Sequence, residues 1–355
     1  MKTLKTLAMG AMLMLCGTMA AQTEKTQIVE NGGTGDYKAV VVGDASCPRF
    51  TIYRPQDMKA AIDKEGRLPV ILYANGACAN NNLEIRYFLN EVASHGYLAV
   101  AIGPYDEDDF FLHWEEVMSY MYPRDKDVVL ANGKALKRLT AEESQALIEQ
   151  RKKAAEEAQK QQQKKSKKEL AAEEEAARAN RTYGRMLLEV LDWLTDQNAD
   201  PTSEYYHCLN LDKVAAMGQS CGGAQTLAVS HYPRIKTCVI LNSGIGDMEM
   251  QGVSAKALES LHTPMFYLIG GSDDVAFQNA QKDYDRIHDV PVCMINTIDG
   301  HEGTYYEAHG GDYAIAVTKW MDWQLKGKVG QAALFLDPDY VGKFFPKWTM
   351  VSKNF

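Results

Sequence analysis

Basic residues are not in excess in this 355-residue chain: 38 Lys and Arg stand against 47 Asp and Glu, so the formal net charge is −9. An acidic chain without a basic stripe argues against nucleic-acid binding as its main task. Cysteine is also scarce, with seven residues, whereas 46% of the chain is hydrophobic. These proportions exclude a small disulfide scaffold, a collagen-like chain and a fully disordered chain, and they leave ample apolar material for a large core.

After residue 21 the sequence has no apolar stretch long enough to cross a bilayer. The first 21 residues have the order of a signal peptide, with Lys2 and Lys5 ahead of a short apolar region that ends in small residues. Cys16 directly follows a leucine, and this bulky neighbour disfavours cleavage as a lipoprotein. We therefore expect residues 22–355 to be exported to the periplasm or the extracellular space, without stable membrane insertion.

Apolar runs of strand length alternate with helical stretches along most of the chain. The runs that predict strands lie at 38–42, 50–54, 68–73, 97–102, 214–217, 237–241, 265–269 and, as the last, 292–298. Helical periodicity covers 82–94 and about 222–230, and an amphipathic helix over 314–325 is expected to close the fold. This alternation predicts an α/β fold with a mostly parallel central sheet and helices on both faces.

One long segment interrupts this alternation. Residues 140–178 contain no Gly or Pro, and their abundant Ala, Glu, Lys and Gln favour a helix. Beyond Arg151 the only large apolar side chain of the segment is Leu170, so such a helix has almost no face to bury. We expect a charged, solvated helical segment inside an insertion at 106–182 of the domain at 22–355. Docking of a protein partner is the alternative role.

Gly218-Gln219-Ser220-Cys221-Gly222 matches the pattern G-x-S-x-G. An apolar strand leads into it and a helix leads out, as in a nucleophile elbow, where glycines let strand and helix approach and the serine hydroxyl stands above the edge of the sheet. A serine hydroxyl is a weak nucleophile at neutral pH, so it needs a base, and the base needs an orienting acid. A structural serine in a Gly-rich turn is the alternative interpretation.

In an elbow of this kind the acid and then the base follow the serine along the chain. His301 directly follows the last predicted strand and is the preferred base, with His309 in reserve. Asp274 follows the strand before it and is the preferred acid; its neighbour Asp273 and the more remote Asp247 are the alternatives. Both preferred residues lie at carboxyl ends of strands, where ligands bind in parallel sheets.

Acyl transfer also needs hydrogen-bond donors for the oxyanion. We choose the backbone N–H of Cys221 and the N–H of Ala77, which lies in the loop after the third predicted strand; an ordinary Asn-Gly turn is the alternative for this loop. If both N–H groups point at one oxygen, Cys78 lies close enough to Cys221 for a disulfide. We expect this disulfide to brace the oxyanion site, and we expect buried free thiols at Cys238 and Cys293.

With these motifs the sequence resembles the α/β-hydrolase superfamily, and more closely its secreted bacterial esterases related to dienelactone hydrolases and poly(ethylene terephthalate) hydrolases. The segments that carry the resemblance are Thr51-Ile52-Tyr53-Arg54-Pro55, Leu68-Pro69-Val70 leading to Asn75-Gly76, Gly218-Gln219-Ser220-Cys221-Gly222-Gly223, Gly270-Gly271 with Asp274, Gly300-His301, and Trp323-Gln324-Leu325-Lys326-Gly327. The resemblance implies the α/β-hydrolase fold, a triad of Ser220, His301 and Asp274, and backbone oxyanion donors at Ala77 and Cys221.

The expected activity is hydrolysis of a carboxylic ester, on a small molecule or a polymer, through an acyl-enzyme on Ser220. No metal or organic cofactor is required, and no Cys/His spacing indicates zinc. An acyltransferase or a peptidase would use the same triad, and a silent binding protein on a hydrolase scaffold is the alternative from another class. The candidates to line an acyl or aromatic pocket, unless they belong to the core, are Tyr73, Tyr105, Phe110, Phe111 and Trp114.

Overall fold

A computed structural model describes residues 25–28, 32–106, 127–130 and 134–355. The expected signal peptide at 1–21 and the aromatic candidates Phe110, Phe111 and Trp114 lie outside the described residues. In the part of the chain that is described, no helix is both long and apolar enough to cross a membrane.

Twelve strands occur in the described residues, and ten of them form one sheet. The strands are β1 (Lys25–Ile28), β2 (Ala39–Gly43), β3 (Phe50–Pro55), β4 (Leu68–Ala74), β5 (Leu98–Ile102), β6 (Val128–Val129), β7 (Ala135–Leu136), β8 (Leu209–Gln219), β9 (Ile235–Leu241), β10 (Met265–Ile269), β11 (Val292–Asn296) and β12 (Thr349–Lys353). Their order in the large sheet is β1-β2-β3-β5-β4-β8-β9-β10-β11-β12, and β6 and β7 form a separate two-stranded sheet.

The centre of the sheet is parallel and its edges are antiparallel. Each neighbouring pair from β5 through β4, β8, β9 and β10 to β11 is parallel. Antiparallel pairing joins β1, β2 and β3 to one side and β12 to the other. The expected α/β fold with a mostly parallel central sheet is therefore confirmed.

The described residues contain ten α-helices. They are α1 (Met58–Glu65), α2 (Arg86–Ser94), α3 (Ala141–Lys164), α4 (Lys167–Ala179), α5 (Arg185–Ala199), α6 (Cys221–Val229), α7 (Phe277–Arg286), α8 (Gly311–Gln324), α9 (Ala333–Leu336) and α10 (Pro338–Phe344). Buried residues of α5 and α6 belong to the core on one face, whereas those of α2 and α8 belong to the core on the other.

The two cores follow from the alternation of side chains along each strand. In β4, where every residue is buried, Val70 and Leu72 join the core of α5 and α6, and Ile71 and Tyr73 join the core of α2 and α8. A strand buried on both faces needs apolar residues in succession, which is why the central strands could be predicted as continuous apolar runs.

The thiols of Cys238 on β9 and Cys293 on β11 are buried and free, as predicted.

The end of the chain differs from the prediction. The strand at 292–298 is not the last, and the helix at 314–325 does not close the fold, because α9, α10 and β12 follow. In β12 only Met350 is buried, so this edge strand has almost no apolar periodicity that could reveal it. β12 pairs with β11 and completes that edge of the sheet.

The charged segment is helical, as predicted, and it forms two helices. α3 and α4 are separated at Ser166, which caps α4: its Oγ accepts from the N–H of Glu169 at 3.2 Å, and the Glu169 carboxylate accepts from the N–H of Ser166 at 2.7 Å. This reciprocal pair is a capping box. The side chains that are described on the two helices are mostly exposed, consistent with a solvated segment.

Candidate active site

Ser220 occupies the turn between β8 and α6, with backbone angles φ 51° and ψ −119°. A side-chain-bearing residue is strained in this conformation and persists only where its surroundings hold it. Here the N–H of Ser220 donates to the carbonyl of Leu241 at 2.9 Å, and its carbonyl accepts from the Ser243 hydroxyl at 2.6 Å and the N–H of Gly223 at 2.9 Å. The turn is thus fixed on both sides, with the geometry of a nucleophile elbow.

Gly222 lets α6 begin in direct contact with the end of β4. A Cβ at this position would lie 2.1 Å from the carbonyl oxygen of Ala74, far inside van der Waals contact. Because the clashing atom belongs to the backbone, no side-chain rotation relieves the clash. The absence of a side chain at Gly222 therefore brings the serine turn against the loop that follows β4.

Gly222→Ala is expected to lower the free energy of unfolding by about 1–3 kcal/mol, the usual cost of overpacking a rigid contact. Gly342→Ala is the matched control, since Gly342 lies in α10 and a Cβ there meets no atom within 4 Å. Guanidinium chloride unfolding of both variants measures the difference. Equal stability of Gly222→Ala and the native chain would contradict the assigned contact.

The structure brings the three predicted side chains of the triad together. The His301 Nε2 atom lies 2.9 Å from the Ser220 hydroxyl, and the His301 Nδ1 atom lies 2.7 Å from the Asp274 carboxylate. Ser220 follows β8, Asp274 follows β10 and His301 follows β11, so all three stand at the carboxyl edge of the parallel strands. This convergence forms an acid–imidazole–hydroxyl series that can move a proton from the serine.

The Asp274 carboxylate is fully buried and is held by four donors. Oδ1 accepts from His301 and from the N–H of Ala276 at 2.9 Å; Oδ2 accepts from the N–H of Gly270 at 3.0 Å and from the Asn242 amide at 2.9 Å. Burial raises the pKa of Asp274, but these hydrogen bonds together hold it below its ordinary value. The carboxylate therefore stays ionised and fixed beside the imidazole.

The His301 imidazole is held as a strengthened base. Burial lowers the pKa of His301, but the hydrogen bond and charge of Asp274, with the charge of Glu302, raise it above its ordinary value. The Gln219 amide donates to the carbonyl of His301 at 3.3 Å and so ties the histidine loop to β8. Position and basicity both suit proton transfer from Ser220.

The alternative acids and bases do not join this group. His309 lies 3.5 Å from the Glu91 carboxylate, in another cluster. The Asp273 side chain is exposed, and Asp247 forms an exposed ion pair with Arg286 at 2.5 Å. The preferred residues, and not these alternatives, contact one another beside Ser220.

Sequence reasoning did not single out Asn242, which connects the acid to its surroundings. Its fully buried amide donates to Asp274, to the carbonyl of Gly300 at 3.0 Å and to the Tyr313 hydroxyl at 3.0 Å, and its oxygen accepts from Tyr305 at 2.7 Å. The one signal in the sequence was an Asn directly after a buried parallel strand. Its amide fixes the orientation of Asp274.

The predicted oxyanion donors lie on two segments that are covalently joined. Ala77 lies in the 3₁₀ helix Gly76–Cys78, and Cys221 is the first residue of α6, so neither N–H has an acceptor within its own helix. The predicted Cys78–Cys221 disulfide is present, with the two Cα atoms 5.2 Å apart. Ala77 and Cys221 also line the same cavity.

The loop after β4 is anchored by further contacts. The buried amide of Asn75 donates to the carbonyl of Ile102 at 2.6 Å. The hydroxyl of Thr182, at the end of the insertion, donates to the carbonyl of Cys78 at 2.9 Å. Together with the disulfide, these bonds fix the backbone around Ala77.

A cavity of about 620 Å³ opens beside the predicted oxyanion donors. It is lined by Ala77, Cys78, Ala79, Asn80, Asn81, Pro104, Asn180, Arg181, Cys221 and Gln251. Tyr73 is buried in the core of α2 and α8, and Tyr105 packs against the same core, so the core interpretation is correct for both. The described lining contains no aromatic side chain.

The insertion borders the site on two sides. Leu130, next to the β6–β7 pair, bridges to Glu307 in the loop after His301, and its small apolar cluster packs against Tyr306. At the other end, Asn180 and Arg181 reach the cavity. The insertion therefore contacts the loop that follows His301 and supplies part of the cavity lining.

Within the described ranges, no group of three or more His, Cys, Asp or Glu residues is placed to hold a metal ion. A scan against protein-family models matches none of them, and a search of curated proteins gives no match either. The functional argument therefore depends on the geometry of the site.

Proposed function

We propose that this protein is a serine hydrolase of the α/β-hydrolase type that cleaves carboxylic esters through an acyl-enzyme. One observation carries the proposal: Asp274, His301 and Ser220 form a continuous series, with distances of 2.7 and 2.9 Å, at the carboxyl edge of the parallel strands. The strained backbone of the serine supports it, since a nucleophile elbow presents its hydroxyl in this way.

In the acylation step, Ser220 Oγ attacks the carbonyl carbon of the ester while His301 Nε2 takes the hydroxyl proton. Asp274 accepts the hydrogen bond from Nδ1–H and stabilises the imidazolium that forms. The N–H groups of Ala77 and Cys221 donate to the oxyanion, in which negative charge develops. His301 then gives the proton to the leaving alcohol oxygen, and the C–O bond breaks.

Deacylation repeats these roles with water in place of the serine. His301 takes a proton from the attacking water, and the second tetrahedral intermediate is stabilised by the same two N–H groups. Its collapse returns the proton to Ser220 Oγ and releases the carboxylic acid. An acyltransferase would differ only in the acceptor, and a peptidase only in the bond that is cleaved.

A fluorophosphonate probe tests the proposal, because its phosphorus reacts with an activated serine and not with an ordinary one. We expect one covalent adduct, mapped by mass spectrometry to Ser220, and no adduct in Ser220→Ala. A chain that resists the probe while folded would be a silent scaffold and would refute the proposal.

We also propose that the protein is exported. The Cys78–Cys221 disulfide supports this, because structural disulfides persist mainly in oxidising compartments. N-terminal sequencing of the protein from the periplasm and the medium of its host tests it, and a chain that keeps its first residues inside the cell would contradict it.

The pH profile should have its acidic limb above pH 6.5. Protonated His301 cannot accept the serine proton, so kcat/KM falls as the pH drops through the raised pKa of His301, whose ordinary value is 6.5. Glu302→Gln removes one charge that raises this pKa and should move the limb to lower pH. Initial rates on p-nitrophenyl acetate between pH 5 and 9 measure both profiles. Glu259→Gln changes an exposed position and is the control, so its limb should not move. A limb that also stays unmoved in Glu302→Gln would contradict the assignment of the limb to His301.

A further inference from the structure

Among the described residues that line the cavity beside the proposed oxyanion donors, Arg181 is the one charged side chain, and none is a carboxylate. Arg181 is exposed and forms no hydrogen bond or ion pair with the described residues. A guanidinium group is charged at every physiological pH and presents several donors in one plane, which suits a carboxylate. The free cation therefore favours an anionic group on the molecule that enters this cavity.

The neighbouring arginines differ from Arg181, because they have ion-pair partners among the described residues. Arg49 and Arg185 lie close by, and both pair with Glu189, at 2.6 and 3.7 Å. Their charges are therefore partly neutralised within the protein. Arg181 lines the same pocket as these two arginines and also the larger cavity, and it has no ion-pair partner among the described residues.

The other polar groups of the cavity are carboxamides. Asn80, Asn81, Asn180 and Gln251 line it, and a carboxamide both donates and accepts, as a sugar hydroxyl requires. The Oδ1 atom of Asn80 is buried and has no hydrogen-bond partner among the described residues. A buried acceptor without a donor costs free energy, and a ligand hydroxyl would satisfy it.

From this lining we propose that the substrate is an acylated acidic sugar, with Arg181 binding its carboxylate and the carboxamides binding its hydroxyls. The inference rests on the proposed ester hydrolysis: Ser220 takes the acyl group, the sugar leaves as the free hydroxyl, and water releases the acid. A cavity of about 620 Å³ lies within the range of small-molecule sites.

The test uses two esters that differ only at C6: methyl glucuronoside and methyl glucoside, acetylated at the same ring hydroxyl. We expect kcat/KM to be at least about tenfold higher for the glucuronoside, since hydrogen bonds to charged groups have this magnitude. Arg181→Gln should bring the two values within about twofold of each other. Arg185→Gln, whose arginine pairs with Glu189 and does not line the cavity, should keep the preference and hydrolyse p-nitrophenyl acetate at the native rate.

Equal rates on the two sugars in the native enzyme, or a preference that survives in Arg181→Gln, would overturn the proposal. Failure of the proposed function looks different, because p-nitrophenyl acetate would then not be hydrolysed at all. In that case isothermal titration calorimetry of the full chain with methyl glucuronoside and with methyl glucoside decides the question. Tighter binding of the glucuronoside, lost in Arg181→Gln, supports an acidic-sugar site, and equal binding overturns it.

Discussion

Ser220→Ala is expected to lower kcat for p-nitrophenyl acetate by a factor of about 10⁴ to 10⁶, the range found when a triad member is removed. In the proposed mechanism the hydroxyl is the group that bonds to the acyl carbon, and no other described nucleophile contacts His301 Nε2. His301→Ala should cost nearly as much, because the hydroxyl then has no base. Steady-state rates, with thermal unfolding to show that each variant is folded, provide the measurement.

Asp274→Asn should lower kcat by about 10⁴, because the neutral amide does not stabilise the imidazolium as a carboxylate does, and its N–H can donate to Nδ1 and hold the wrong tautomer of His301. Asp273→Asn is the matched control, since this neighbour is exposed and should retain activity within about twofold. Groups that act as one unit are not additive, so His301→Ala with Asp274→Asn should cost no more than His301→Ala alone. A double variant whose loss equals the product of the two single losses would mean that the residues act independently.

The central strands could be predicted because burial on both faces leaves a continuous apolar run. The strand at Met265–Ile269 has the same limits in the sequence prediction and in the structure. β8 was predicted only at 214–217, whereas it begins at Leu209. Its first half is partly exposed and contains Asp212 and Lys213, so its apolar pattern is interrupted there.

Edge strands gave no comparable signal. Among the described strands, β1 pairs only with β2 and β12 only with β11, so each has one neighbour there. An edge strand carries few buried side chains, and both elements are five residues or fewer. These strands form because they pair with the strand beside them, and a local sequence pattern carries no information about that neighbour.

The triad could be predicted because its chemistry restricts both residue type and place: a serine in an elbow, then an acid and a histidine at later strand ends. Asn242 and Gln219 could not, since a carboxamide has no single role until its neighbours are known. Arg181 is a similar case. It follows a long charged segment, and only the folded chain places it beside Cys221.

Reduction of the Cys78–Cys221 disulfide is expected to lower kcat by about 10²–10³, the cost of losing one oxyanion donor. The bond joins the residue after Ala77 to the first residue of α6, so it fixes both proposed donors relative to each other. KM should change little, because these N–H groups act mainly on the transition state. Dithiothreitol supplies the two electrons and is oxidised to its cyclic disulfide, leaving two protein thiols.

The remaining described cysteines make this experiment selective. Cys47, Cys208, Cys238 and Cys293 are already free thiols, so the reductant changes one bond among the described residues. Cys78→Ser with Cys221→Ser keeps both backbone N–H groups and is the matched control: it should start at the lowered rate and not respond to dithiothreitol. Its free energy of unfolding should fall by about 2–5 kcal/mol in guanidinium chloride. The native protein contradicts this prediction if it keeps its full kcat after reduction while alkylation confirms two new thiols. The disulfide would then not be needed to hold Ala77, and the hydrogen bonds of Asn75 and Thr182 would hold the loop by themselves.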